Sequence, residues 1–501
     1  MHAAAKKTTV RAMDTEILSR VLFAVTAAFH YIFPPISIGL SLYVLIVEAA
    51  WVRTGDERFL RSAKFFLKLF GLVFAVGVAT GILMVFQFGT NWPVYSNFVG
   101  DVFGSPLAIE AIAAFFLEST FLAVALFGWK RVGKKAHLFA TAMVCLGTHL
   151  SAVWILAANS FMQTPQGFGI YDVSGESPVR MADGFVPPSA EVGQYAAKIE
   201  DFWAMVFSPS FADRFLHTTT AAWLTGGFFA LGVCAYFILR RRSLDVFEPS
   251  AKIALAYTAL ACAAMFYTAH MSARGVTRNQ PEKMAAAEGH YDTCRNAPFF
   301  LLAWVDDKSQ TVSGIEIDSM FSLLAYGKSD AKVVGLRDLP SDEFLLAMHP
   351  GATPESLAQI RPSYWPPVNL TFQSFHFMVY LGGAMAALIA IAYFLRWKGL
   401  LFDVNQAVSR WTWQLMLFSA LMPLAASMLG WATAEIGRQP WIVWHILKTK
   451  DAVTTAAGSG EILFSLIMFI ALFSAVTAVF LVVFLDKLRK GPDAGDERET
   501  Y

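Results

Sequence analysis

Glu435 and Arg438 put opposite charges one helical turn apart at the end of a long apolar run. They lie in Gly430-Trp431-Ala432-Thr433-Ala434-Glu435-Ile436-Gly437-Arg438-Gln439-Pro440-Trp441. At membrane depth each charge is costly without a partner. Two tryptophans bracket them, and Pro440 predicts a helix end at or near Gln439. One reading is an interfacial tryptophan belt with a surface salt bridge. The sharper reading is a cofactor site, with Glu435 as ligand or base and Arg438 holding a propionate or the carboxylate itself.

Other ionisable residues fall inside apolar runs, where they mark function by default. They are His30, Glu48, Glu110, Glu118, His149, His217, His270 and His376, with Met378 beside the last. Glu110 and Glu118 stand two turns apart, about 12 Å along a helix axis. A single buried His is more often a hydrogen-bonded core residue than a ligand, and a single Met is more often packing. The combination carries more weight. His30, Glu110, His217, Met378 and Glu435 come from five separate runs, the way helix bundles build cofactor sites. A His/Met pair suits a low-spin haem of raised potential, whereas a lone His or carboxylate leaves an iron position open. The two wide-spaced His pairs of a cytochrome c reductase-type cytochrome b are missing. So is the cluster of about six His that copper–haem oxidases need.

The elements that must position these groups are membrane helices. The chain is 56% hydrophobic and only 15% charged, against about 25% charged in soluble domains. Nine runs are long enough to span a bilayer: Ile17–Trp51, Phe65–Phe88, Pro106–Trp129, Ala136–Phe161, Phe215–Leu239, Ile253–Met271, Val368–Trp397, Trp411–Ala434 and Ile462–Leu485. Pro34-Pro35 should kink the first. That run is too long for a signal-peptide core. The expected fold is therefore an all-α integral membrane protein of nine transmembrane helices, with a long periplasmic loop between helices 6 and 7. Three parts follow: residues 1–271 with helices 1–6, the loop 272–367, and residues 368–501 with helices 7–9 and a tail. Glu282–Glu288 in the loop reads as a short helix.

Lys and Arg set the orientation. Five clusters (Arg53 to Lys64, Lys130 to Lys135, Arg240 to Lys252, Arg396 to Arg410, Lys487 to Lys490) fall on one side, and Gly89 to Ser105 has none. The basic side is the cytoplasm, which puts the N-terminus in the periplasm and the C-terminus inside. Lys6, Lys7 and Arg11 oppose this, one short arm against five clusters. A net charge of +1 points to no nucleic acid. Four scattered cysteines without CxxC or CxxCH imply no zinc site, iron–sulfur cluster or covalent haem.

These residues resemble subunit I of a cytochrome bd-type quinol oxidase across the nine-helix core. The marks are Leu18-Ser19-Arg20 leading to His30, Gly89-Thr90-Asn91-Trp92, Pro106-Leu107-Ala108-Ile109-Glu110, Phe115-Phe116-Leu117-Glu118-Ser119, Phe215-Leu216-His217-Thr218, Gln280–Glu288 and the Gly430–Trp441 block. The resemblance implies that His217 and Met378 ligate a low-spin haem b. It implies that His30 and Glu435 serve a high-spin haem b and an oxygen-reducing haem, haem d or a third haem b, in an order left open. Glu110 would lie beside that pair, Glu118 would relay protons, Arg438 would neutralise propionates and Trp431 would lie between haems. Lys283 and Glu288 would bind and deprotonate quinol.

The implied partners are quinol, O2, the lipid bilayer, a second membrane subunit and a small single-helix one, in a bacterial inner membrane. His376 stands where many relatives carry Arg, and His149 where some carry Asn. The outer loop is short, as in the cyanide-insensitive branch. Two rival readings are a haem protein that shuttles electrons without reducing O2, and a secondary transporter. The first would lose Glu110 or Glu435. The second favours broken helices at matched positions in two halves, and only the first run holds a Pro pair.

Overall fold

The computed structural model describes residues 2–172, 195–454 and 456–492, with side chains from residue 15 onward. Its helices in chain order are α1 (His2–His30), α2 (Phe33–Thr54), α3 (Glu57–Thr90), α4 (Pro93–Phe98), α5 (Gly100–Ile109), α6 (Phe116–Phe127), α7 (Lys134–Gln163), α8 (Phe202–Val206), α9 (Phe211–Leu239) and α10 (Leu244–Asn279). They continue as α11 (Pro281–Ala287), α12 (Met320–Tyr326), α13 (Asp342–Met348), α14 (Pro354–Ile360), α15 (Val368–Trp397), α16 (Ala407–Ser419), α17 (Met422–Ile436) and α18 (Ser459–Lys490). Eight spans are apolar and long enough to cross a membrane among the described residues. A ninth is the pair α16–α17, bent by 41° at its break.

The first run stays one span, its helix interrupted where the kink is expected. Pro34 and Pro35 occupy the first turn of α2, where no helical N–H is required, and α1 ends just before them with Tyr31 and Ile32 in a turn. A second irregularity was not legible. Between α5 and α6 the chain takes one π-helical stretch, Glu110–Phe115, so the third span changes phase at Glu110. α10 continues past Met271 to Asn279, so the proposed loop begins inside a helix.

The bundle packs around α2 and α9. They cross at Gly39 and Gly226, where a Cβ on either would overlap the other's backbone; small residues permit that approach in membranes. An aromatic layer closes one end, with Phe237 and Phe247 stacked at 3.9 Å and Phe65 edge-on to both. The five basic clusters gather at this end. Arg61 pairs with Asp245 at 2.6 Å, Arg242 donates to the Arg489 carbonyl at 3.0 Å, Arg241 bonds Asn405, and Lys134 lies over Trp51 at 4.8 Å.

The other end carries the long connections. β1 (Phe168–Asp172) pairs antiparallel with β2 (Tyr195–Ile199), and β3 (Cys294–Arg295) is held by a later strand, β6 (Lys332–Val333). β4 (Phe299–Asp306) and β5 (Thr311–Ile317) form a hairpin from Phe299↔Ile317 to Asp306↔Thr311. It docks on α15, where Gln373 donates to the Ala303 carbonyl at 2.9 Å. β7 (Trp441–Val443) and β8 (Leu447–Lys448) form a short ribbon after α17. The all-α expectation thus holds for the membrane core, and small ribbons supply backbone pairing in the connections.

Candidate functional site

α17 ends at Ile436, not Gln439, and Gly437–Pro440 form a turn. Arg438 nevertheless curls back to pair with Glu435. Glu435 also accepts from Asn159 Nδ2 at 3.3 Å and Gln163 Nε2 at 3.1 Å, both on α7. The Gln163 Oε1 accepts from Lys283 Nζ, which also donates to Gln280 Oε1 at 2.7 Å. One polar network therefore joins the end of α17, the end of α7 and α11. Arg214 belongs to it as well: it donates to Asn159 and lies over the Trp431 ring at 5.8 Å, while Tyr31 meets the same ring edge-on at 5.4 Å. Tyr31 directly follows His30, so the ends of α1, α9 and α17 converge here.

His30 Nδ1 lies 3.0 Å from Thr80 Oγ1. The Thr80 hydroxyl donates back to its own helix, to Val76 O at 2.9 Å or Gly77 O at 3.0 Å. It therefore accepts from His30 Nδ1–H, which leaves the Nε2 lone pair free to ligate. Met378 presents its thioether to α17: a Cβ on Gly430 would stand 2.9 Å from Met378 Sδ. His217 lies one turn beyond Arg214 on α9 and keeps Nδ1 buried with no partner. Met378 thus meets α17 at Gly430 from α15, and His217 stands one turn along α9 from Arg214, the residue that lies over Trp431.

These residues suit haem. His30, Glu110, His217, Met378, Trp431 and Glu435 are all half-buried rather than packed tight. Glu435 keeps 34% of its side-chain surface although protein surrounds it, as a group lining an internal cleft does. Arg438 Nη1 and Arg214 Nε are buried without partners beside it. Unpaired guanidinium N–H groups next to candidate iron ligands match the carboxylates that a haem carries.

The remaining candidates fall into two places. Glu110 accepts from Ser151 Oγ at 2.6 Å, and Glu118 packs on Gly147, where a Cβ would meet the Glu118 Cβ at 2.8 Å. A plain α-helix leaves residues eight apart about 80° out of phase. The π stretch takes up that difference, and both residues pack on one stripe of α7.

Lys283 and Glu288 lie at the other place, on α11 and just after it, 2% and 4% exposed. They do not contact each other. Lys283 turns inward to the glutamines, and burial next to Arg214 and Arg438 pushes its pKa well below that of an ordinary lysine. Glu288 has one carboxylate oxygen without a partner, and burial raises its pKa to about 8.

The two departures resolve differently. His149 uses both nitrogens: Nδ1 donates to Cys145 O at 2.7 Å and Nε2 accepts from Trp223 Nε1 at 2.9 Å. His376 donates from Nδ1 to Phe372 O at 3.0 Å and leaves Nε2 buried and unpartnered. Sequence reading missed Arg214, Asn159, Gln163 and Ser151. Arg214, a cation one turn before His217, carried the usable signal.

A multi-pass helical membrane protein with candidate iron ligands near two buried arginines has the make-up of a membrane redox subunit. The family is shown by similarity. A family model described as cytochrome bd terminal oxidase subunit I matches residues 18–492. Cytochrome bd ubiquinol oxidase subunit 1 of Bacillus subtilis is 36% identical over 97% of this chain and 96% of its own length. Cytochrome bd-II ubiquinol oxidase subunit 1 of Escherichia coli is 33% identical over 96% and 98%. The solved bd oxidase of Geobacillus thermodenitrificans superposes with a TM-score of 0.80 at 26% identity, covering 96% of this chain and 99% of the other. The chain belongs to the cytochrome bd terminal oxidase subunit I family, and is a subunit of a respiratory oxidoreductase.

Proposed function

We propose that this subunit oxidises quinol at the end opposite the basic clusters and passes the electrons to haems that reduce O2 to water. The basic end faces the cytoplasm, by the positive-inside rule. Residues 272–367 are then the periplasmic quinol-binding segment, flanked by helices 1–6 and 7–9. The observation that carries this reading is Gln163, which hydrogen-bonds both Lys283 and Glu435 and so ties the quinol segment to the candidate haem ligand.

Lys283 positions the quinol and Glu288 takes its proton. Burial holds Glu288 protonated until about pH 8, so it works best when the bound quinol draws it into ionisation. His217 and Met378 would hold a low-spin haem b. His30 and Glu435 would hold the high-spin haem b and the haem d or third haem b, with Glu110 beside them. Bound haem supplies one-electron transfer and an open iron position for O2. Arg438 and Arg214 would offset propionate charge, and Trp431 would lie between the haems. Glu118 hands protons from the cytoplasmic side toward Glu110. Each electron then moves one charge across the field, storing about 2.3 kcal/mol per 100 mV, and no pump is needed. The relatives' names imply a second subunit, and the exposed apolar Phe86, Ile112 and Phe116 suit such a partner or lipid equally; a small single-helix subunit completes the expected assembly.

The test is quinol-driven O2 uptake by the purified complex. Glu288→Gln should slow it with haem content unchanged. Uptake at the parental rate would remove Glu288 from this role.

A further inference from the structure

The molecule has a second buried ionisable cluster, near the basic end and away from every candidate haem ligand. Glu48 on α2 is fully buried and His137, in the first turn of α7, is 1% exposed. His137 Nδ1 lies 2.7 Å from Glu48 Oε1, and Thr141 Oγ1 donates to Glu48 Oε2 at 2.6 Å. His137 Nε2 is 3.0 Å from the Ala125 carbonyl of α6.

These contacts fix the proton count. A carbonyl oxygen only accepts, so His137 Nε2 carries a hydrogen. The Nδ1···Oε1 contact then holds one more proton, either on Nδ1 beside an ionised Glu48 or on Glu48 beside a neutral ring. Without that proton a lone pair would face a carboxylate in a fully buried site, which is expensive. The contacts therefore hold one shared proton between the pair.

A polar seam leads from the pair toward Glu118. Thr141 is the first step. One turn on, Cys145 lies beside Ser41 and Glu118, and Ser41 bonds Thr148 at 3.1 Å. Ala125, level with His137, is seven residues from Glu118 on one helix, about 10 Å. On the basic side, Trp129 stacks on His137 at 3.7 Å, with Lys64 over Trp129 at 5.8 Å and Lys134 over Trp51 at 4.8 Å. Two lysines thus lie on one side of the pair, and Cys145 and Glu118 on the other.

We infer that Glu48 and His137 form the proton-loading site that feeds Glu118 from the basic end. This rests on the reading that protons for O2 reduction enter there. In the step, the shared O–H or N–H bond of the pair breaks and an O–H bond forms at the Glu118 carboxylate, through the Thr141, Ser41 and Thr148 hydroxyls with water between them. Water at the basic end then restores the proton, and no electron moves.

The experiment uses the purified holo-complex. In Glu48→Gln the amide keeps the contacts but cannot load. Quinol-driven turnover per haem should fall at least about tenfold, the solvent deuterium isotope effect should rise, and charge movement after O2 is mixed with reduced enzyme should slow, with the haem spectrum unchanged. Parental turnover with a normal spectrum would overturn the inference. Should Glu48→Gln assemble without haem, Thr141→Val applies the same readouts: slowed charge movement supports the seam and parental kinetics overturns it. A parental complex that oxidises no quinol at all would instead defeat the functional reading beneath it.

Discussion

Lys283 and Glu435 share one hydrogen-bonding neighbour. Gln163 accepts from the lysine and donates to the carboxylate at 3.1 Å, and it is fully buried. Three elements far apart in the chain are thereby held in one network. Gln163→Leu keeps the volume and removes both bonds. It leaves a buried amine short of an acceptor, a cost of about 1–3 kcal/mol. The KM for quinol should rise roughly fivefold or more while haem content stays whole; an unchanged KM would separate the two sites.

Glu288 gives the pH dependence. Burial raises its pKa to about 8 from an ordinary 4.5. A raised carboxyl pKa makes the folded segment most stable below the ordinary value, and that contribution fades as pH rises through about 8. As a base it must ionise, so quinol oxidation should increase through the same range. The rise should vanish in Glu288→Gln. A profile identical in both proteins would count against the assignment.

Met378 and Gly430 test the low-spin site. Met378→Leu should abolish the six-coordinate haem spectrum and leave the other haems in place. Gly430→Ala puts a methyl 2.9 Å from Met378 Sδ, and overpacking of this kind costs about 1–3 kcal/mol. It should weaken the same spectral signal without removing any ligand. An unaltered spectrum in both variants would break the pairing with His217.

Glu435→Ala should lose a high-spin haem, as judged by haem extraction and mass measurement. It also strips Arg438, only 3% exposed, of its carboxylate. Breaking a buried pair by removing one partner costs about 3–5 kcal/mol, so thermal stability should fall as well. Full haem content would argue against ligation.

Much of the architecture was readable because lipid demands long apolar runs, and nine such runs reappear as eight spans and one bent pair. Their ends were less readable. α10 runs on to Asn279 because Ser272–Asn279, although polar, packs at the foot of the connections rather than in lipid. The π stretch at Glu110 left no mark in composition. Glu435 and Arg438 stood out as charges in an apolar setting. Their partners did not: Asn159, Gln163 and Arg214 lie hundreds of residues away at span ends, where polar residues are ordinary. Lys283 and Glu288 are neighbours in sequence, yet the turn after α11 points them into different surroundings.

The central claim is that side chains from α1, α9, α15 and α17 grip haem that receives its electrons from quinol. The most direct measurement is a reduced-minus-oxidised spectrum of the purified complex with quinol as the only reductant. Haem bands that include a six-coordinate low-spin component are the predicted result. A spectrum without haem, or haem that quinol cannot reduce, would contradict it.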